Sequence, residues 1–186
     1  MKIAVIGCAG RMGRTNVRAV LDAGHELVAG VETPGHPALG VDLGTLAGGE
    51  PIGLGVIDDA AAAIAAADAA IEFSTAEATV AHAHDAAAAG CAHVIGTTGL
   101  EPGHEAALDE AAKRVPIVYA PNMSRGVNLL MELVETVARA LDEEFDIEVF
   151  EIHHNRKVDA PSGTALGLGR AARSEEHTSE LQSLSH

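Results

Sequence analysis

The chain has 186 residues, 47% of them apolar, and a formal net charge of −15. That length holds one good core, or one domain and part of another, and that apolar share excludes a disordered chain. A charge this negative excludes attraction to nucleic-acid phosphate or an anionic membrane surface, so helix N-termini and a few placed cations must hold any anionic ligand. Aromatic residues are only 2%, so small aliphatic side chains must build the core. The cysteines, Cys8 and Cys91, form no metal pattern and read as free thiols. No basic leader precedes the first apolar run, and no apolar run reaches about 18 residues; the expectation is a cytoplasmic protein without a membrane span.

Lys2-Ile3-Ala4-Val5-Ile6 is apolar on both faces, as a buried parallel strand should be. A glycine turn follows, Gly7-Cys8-Ala9-Gly10-Arg11-Met12-Gly13. Residues 11–23 then suit a helix with Val17, Val20 and Leu21 on one face and Gly24 closing it. A second strand is expected over residues 26–32. Residues 33–55 read as a Gly- and Pro-rich loop, and Val56-Ile57 as a short strand. Asp58 or Asp59 is placed to cap a helix running to about Ala67. Strands are expected at 69–73, 93–95 and 116–119, with helices at 76–89, closed by Gly90, and at 102–114. This β-α-β alternation predicts an α/β fold with a parallel sheet and right-handed crossovers.

The pattern changes near Pro121, where a domain boundary is expected. A long helix over about 127–141 precedes residues 145–153, in which Phe145, Ile147 and Val149 alternate with Asp146, Glu148 and Phe150. That alternation predicts an antiparallel or edge strand. After it, Ser162-Gly163-Thr164 opens a helix over about 165–172. Three segments result: a Rossmann domain over 1–121, the start of a substrate-binding domain over 122–172, and a tail over 173–186. Alanine, valine and glycine vanish in the tail, which reads as a translated sequencing adapter. The native sequence is expected to continue past Ala172, and the chain as written to be insoluble or inactive.

The glycine spacing, G-x-x-G-x-x-G between strand and helix, is a variant of the dinucleotide fingerprint. Gly7 permits the turn, Gly10 the approach of a pyrophosphate, and Gly13 close helix–strand packing. Glu32 lies 25 residues after Gly7, where an acid binds the adenosine ribose. Thr33 carries no charge, and no Lys or Arg follows in that loop, which favours NADH or dual use; Arg11 remains within reach of a 2′-phosphate. Gly96-Thr97-Thr98-Gly99 and Ala120-Pro121-Asn122-Met123 stand at C-terminal strand ends, where α/β sheets bind ligands. Asn122 suits either a nicotinamide contact or a helix cap. The densest chemistry is Glu151-Ile152-His153-His154-Asn155-Arg156-Lys157, an imidazole and amine cluster fitted to an anionic substrate and proton transfer. Ser162, Gly163 and Thr164 would cradle a carboxylate. His153 and His154 point apart on a strand, so no metal site is expected.

Taken together, GCAGRMGR, the strand ending in Glu32, IEFST, VIGTTG, APNMSRGVN and EIHHNRKVDAPSGTA resemble the 4-hydroxy-tetrahydrodipicolinate (dihydrodipicolinate) reductases of bacterial lysine and diaminopimelate biosynthesis. The resemblance covers residue 1 to about 172. It implies a Rossmann domain followed by a mixed α/β domain that binds substrate and assembles a homotetramer. It also implies roles for matching positions. Gly7, Cys8, Ala9, Gly10, Arg11 and Met12 would bind the pyrophosphate, and Glu32 the adenosine ribose. Gly96, Thr97, Thr98, Ala120, Pro121, Asn122 and Met123 would line the nicotinamide side. His153 and Lys157 would handle protons, and His154, Gly163 and Thr164 would hold a small dicarboxylate. The cofactor is NADH or NADPH; many members carry Arg where this chain has Thr33. Two other readings fit the residues less fully: another oxidoreductase of small carboxylates, and a non-catalytic dinucleotide sensor.

Overall fold

The computed structural model describes residues 1–120, 122–141, 145–153 and 161–173. The chain divides into two compact units, Met1–Ala120 and Pro121–His186. In the first, strands β1 (Lys2–Ile6), β2 (Glu26–Val31), β3 (Ala69–Glu72), β4 (Ala92–Ile95) and β5 (Ile117–Tyr119) form one sheet in the order β2-β1-β3-β4-β5. All pairs are parallel. The short strand expected at Val56-Ile57 is reduced to an isolated parallel bridge between Ile57 and Val31, the last residue of β2. The order reverses between β1 and β3, and in such sheets the crevice at the C-terminal strand ends of that switch point takes ligands.

Helices cover both faces because β1 is apolar on both. Ala4 and Ile6 join Ala63 and Ile64 of α3 (Ala60–Ala65) and Ala86 of α4 (Ala76–Ala89). Ile3 and Val5 join Val17 and Val20 of α1 (Arg11–Asp22), with Leu43 of α2 (Leu43–Leu46). Beside α4 lies α5 (Pro102–Ala112), whose Leu108 and Ala111 meet Ile95. The caps follow the sequence: Asp59 accepts from the Ala62 N–H, Thr75 from the Ala78 N–H, and Gly24 (φ 71°) closes α1. The loop expected over 33–55 contains α2, whose cap, Asp42, accepts from Thr45, Ile52 and Gly53 N–H groups. That helix is too short to show as a hydrophobic period.

In the second unit the described residues hold two helices, α6 (Arg125–Ala140) and α7 (Gly163–Ala172), capped by Ser124 and Ser162. The strand expected over 145–153 is not formed: those residues carry no regular secondary structure. A strand needs a hydrogen-bonded neighbour, and there is none among the described residues of this unit. Neither alternating face is covered; Phe145 on one and Phe150 on the other are both exposed. Residue 121, residues 142–144 and 154–160, and all but residue 173 of the tail read as foreign (173–186) lie outside the described residues. Among the described residues no helix is long and apolar enough to cross a membrane.

Candidate functional site

The glycine turn sits at the C-terminal end of β1. Gly7 has φ 75°, and a Cβ there would lie 2.3 Å from the Phe73 carbonyl oxygen. A Cβ on Gly13 would lie 2.0 Å from the Gly7 oxygen, so α1 can press against the turn only with glycine here. The turn holds itself together through its own N–H groups. Those of Gly7 and Cys8 donate to the Val31 carbonyl, and that of Gly10 to the Gly7 carbonyl. Cys8 and Ala9 therefore shape the turn; their N–H groups are already engaged. Burial, helped by the Glu32 charge, pushes the Cys8 thiol up to about 12, so it stays an unreactive thiol. Gly10 caps α1 without a side chain, which leaves the first-turn N–H groups of the helix for an anion.

Glu32 follows the end of β2 and reaches back to this turn. Its Oε1 accepts from the Ala9 N–H at 2.7 Å. The expected ribose-binding acid and the expected pyrophosphate turn are thus brought together across 23 residues. Thr33 beside it is exposed and uncharged.

On the other side of the crevice, β4 is followed by Gly96, Thr97 and Thr98. Thr98 is exposed, but Thr97 is buried. Its Oγ1 accepts from the Ser74 N–H (3.1 Å) and touches the Thr79 hydroxyl (3.1 Å). The Thr97 hydroxyl therefore ties the end of β4 to the segment after β3 and to α4. Gly96 is required by Phe73, whose ring would lie 2.2 Å from a Cβ. Ala120 follows β5, and its N–H donates to the Ile95 carbonyl.

Beneath these loops lies a cluster that sequence reasoning missed. Glu72, fully buried on β3, accepts from His93 Nε2 of β4 (2.7 Å), from His82 Nδ1 of α4 (2.7 Å) and from the Ser74 hydroxyl. Burial pushes the Glu72 carboxyl up, but the hydrogen bonds from His82 and His93 outweigh it and hold the group at about 2, against an ordinary 4.5. A glutamate inside a two-sided apolar strand was the available signal, since such residues are buried only when paired.

The second unit is described by itself. Glu151 Oε2 meets His153 Nε2 at 2.7 Å and accepts from the Ser162 hydroxyl at 2.5 Å, while Oε1 accepts from the Ser162 N–H at 2.8 Å. The hydrogen bonds from Ser162 and His153 hold Glu151 at about 2. One carboxylate thus joins the expected proton-handling imidazole to the start of α7, where Gly163 and Thr164 form the first turn. Glu151 stands two residues from His153, on one face of an alternating segment, so half of this arrangement was readable. Asn122 Oδ1 accepts from the Ser124 N–H (2.9 Å), while Ser124 itself caps α6. The Asn122 amide nitrogen is buried without a hydrogen-bond partner. Met123 is 40% exposed. Pro121, His154 and Lys157 lie outside the described residues. Among the described residues no three His, Cys, Asp or Glu side chains gather to hold a metal ion.

Comparison with known proteins places this geometry. Residues 1–123 match the family model described as dihydrodipicolinate reductase, N-terminus, and residues 126–185 match its C-terminus. A 4-hydroxy-tetrahydrodipicolinate reductase of Anaeromyxobacter dehalogenans (strain 2CP-1 / ATCC BAA-258) is 54% identical over 172 residues, covering 92% of this chain and 64% of the relative. One from Rhizobium meliloti is 49% identical over 179 residues, covering 96% of this chain and 74% of the relative. The chain therefore spans only part of the length of these relatives. The fold is shared with the dipicolinate-bound dihydrodipicolinate reductase of Paenisporosarcina sp. TG-14, with TM-score 0.72, 24% identity, and coverage of 99% of this chain and 72% of that one. With two family models matched end to end along its described units and relatives at about half identity, the chain belongs to the dihydrodipicolinate reductase family.

Proposed function

We propose that the chain serves the NAD(P)H-dependent reduction of 4-hydroxy-tetrahydrodipicolinate, through dihydrodipicolinate, to tetrahydrodipicolinate and water in lysine and diaminopimelate biosynthesis. The observation that carries this reading is the return of Glu32 onto the Ala9 N–H of the glycine turn. It sets a carboxylate, as an acceptor for ribose hydroxyls, beside an uncapped helix N-terminus suited to a pyrophosphate. The residues present fit a dinucleotide: Gly7 and Gly13 leave no room for a Cβ, and Gly10 adds no side chain over the α1 N–H groups. Arg11 and Met12 would meet the phosphates, and Gly96, Thr98, Ala120, Pro121, Asn122 and Met123 the nicotinamide side. Thr33 in place of a basic residue favours NADH or dual use.

The bound nicotinamide supplies a hydride. The protein's own contribution is to hold the dicarboxylate and move a proton. His153, with Nε2 fixed on Glu151, is the proton donor or acceptor, and Lys157 the donor. His154, Ser162, Gly163 and Thr164 hold the substrate carboxylates, the last three through the α7 N-terminus.

Single-turnover mixing, with protein in excess over substrate formed in situ, registers even slow chemistry. The expected result is loss of nicotinamide absorbance matched mole for mole by tetrahydrodipicolinate, and its disappearance in His153→Ala. Cofactor binding without oxidation, unchanged by that substitution, would instead identify a dinucleotide sensor.

A further inference from the structure

We propose that Glu72, acting through Ser74, is a positioning residue for the nicotinamide half of the cofactor site, together with His82 and His93. The inference rests on the cofactor reading above and extends it to residues that touch no cofactor.

The geometry begins with the segment after β3. Phe73 and Ser74 lie between the two loops that flank the crevice. On one side the Phe73 carbonyl fills the space a Gly7 side chain would take; on the other its ring fills the space of a Gly96 side chain. Phe73 N–H donates to the Ile6 carbonyl, and Gly96 N–H to the Glu72 carbonyl. Ser74 is the link outward: its N–H donates to Thr97 Oγ1 (3.1 Å), and its hydroxyl donates to Glu72. A shift of Ser74 must therefore move Thr97, and with it the backbone from Gly96 to Thr98.

Packing alone gives no reason for a charged group at Glu72. Replacing a whole buried ion cluster by hydrophobic side chains of similar volume is commonly neutral or stabilising. What a carboxylate offers is acceptors only, with four lone-pair directions, three of them met here by an imidazole from β4, an imidazole from α4 and a hydroxyl from the loop. It fixes three separate segments to one point. An amide in its place turns one acceptor into a donor and sets it against another donor in a buried site. The glycine turn, by contrast, holds its shape through Val31, Gly7 and Glu32, with no bond to Glu72. The network should therefore tune one end of the dinucleotide and spare the other.

That asymmetry gives the test. NADH and ADP-ribose, which lacks the nicotinamide, are titrated into wild type, Glu72→Gln and Ser74→Ala. Expected is about tenfold weaker NADH binding in both variants, with ADP-ribose affinity held within about twofold. Ser74→Ala keeps the buried carboxylate and its histidines, so it decides the matter if Glu72→Gln does not fold. Equal weakening of both ligands in Ser74→Ala, or no weakening of either, overturns the inference while leaving the cofactor reading intact. Wild type that takes up neither ligand overturns the cofactor reading, and the inference with it.

Discussion

Glu72 and Glu151 do the same chemistry in opposite surroundings. Each carboxylate joins an imidazole to a serine, and each is held at about 2. Glu72 does so fully buried, inside a unit whose central strand is covered on both faces. Glu151 does so half-buried, in a unit whose buried residues, among those described, are Ala138, Ser162 and Ala172, and in which Leu129, Leu133 and Val137 of α6 are each about half exposed. In the first unit the carboxylate network is therefore fixed by a core. In the second, among the described residues, His153 is held by one half-buried carboxylate that also binds the cap of α7.

The largest expected consequence is a gap in local stability between the units. Amide exchange in β1, β3 and β4 should follow global opening, whereas α6 and α7 should exchange roughly a thousandfold faster. Equal protection in both would break the comparison.

Next comes removal of the buried carboxylate. Glu72→Ala leaves two histidines and a serine without their acceptor and should cost about 3–5 kcal/mol in urea unfolding. Acid should act on the same group. Its carboxyl is held at about 2 when folded, against 4.5 ordinarily. As pH falls, the unfolded chain therefore takes up the proton first. The stability that Glu72 contributes is complete above about 4.5 and is lost as pH falls toward about 2. Urea midpoints measured across that interval should drop less in Glu72→Ala than in wild type; parallel curves would contradict this assignment.

A glycine pair sharpens the contrast further. Gly13→Ala forces a Cβ to within 2.0 Å of the Gly7 oxygen, and overpacking of this kind costs about 1–3 kcal/mol. Gly126→Ala in α6 meets nothing nearer than the Ser124 hydroxyl at 3.9 Å and should stabilise by about 0.5–1 kcal/mol. Thermal melts of both variants check the opposite signs.

The smallest effect on stability belongs to Glu151→Gln. Solvent screens a partly exposed ion pair, so the melting temperature should change little while the His153 ring signals shift in NMR spectra. Unmoved ring signals would mean that Glu151 does not set that imidazole.

How far the sequence could be read follows the same division. Lys2–Ile6, the glycine turn, the place of Glu32 after the second strand and the cap Asp59 were legible because local chemistry and the core demand the same conformation. Residues 145–153 were misread as a strand. Alternation reports which side chains could share a face, but a strand also needs a neighbour, and that neighbour is not local. The place of Thr97 at a strand end was visible, while its bond to Ser74, 23 residues away, was not. Glu72 announced itself only as an oddity in an apolar strand; its histidines arrive from two other elements.

Glu32 and the glycine turn should act as one dinucleotide site, and calorimetric titration of NADH into wild type and Glu32→Ala decides whether they do. Affinity about tenfold weaker in the variant, or more, with the fold unchanged by circular dichroism, is the result expected for a lost pair of ribose hydrogen bonds. Identical affinity in the two proteins would contradict it.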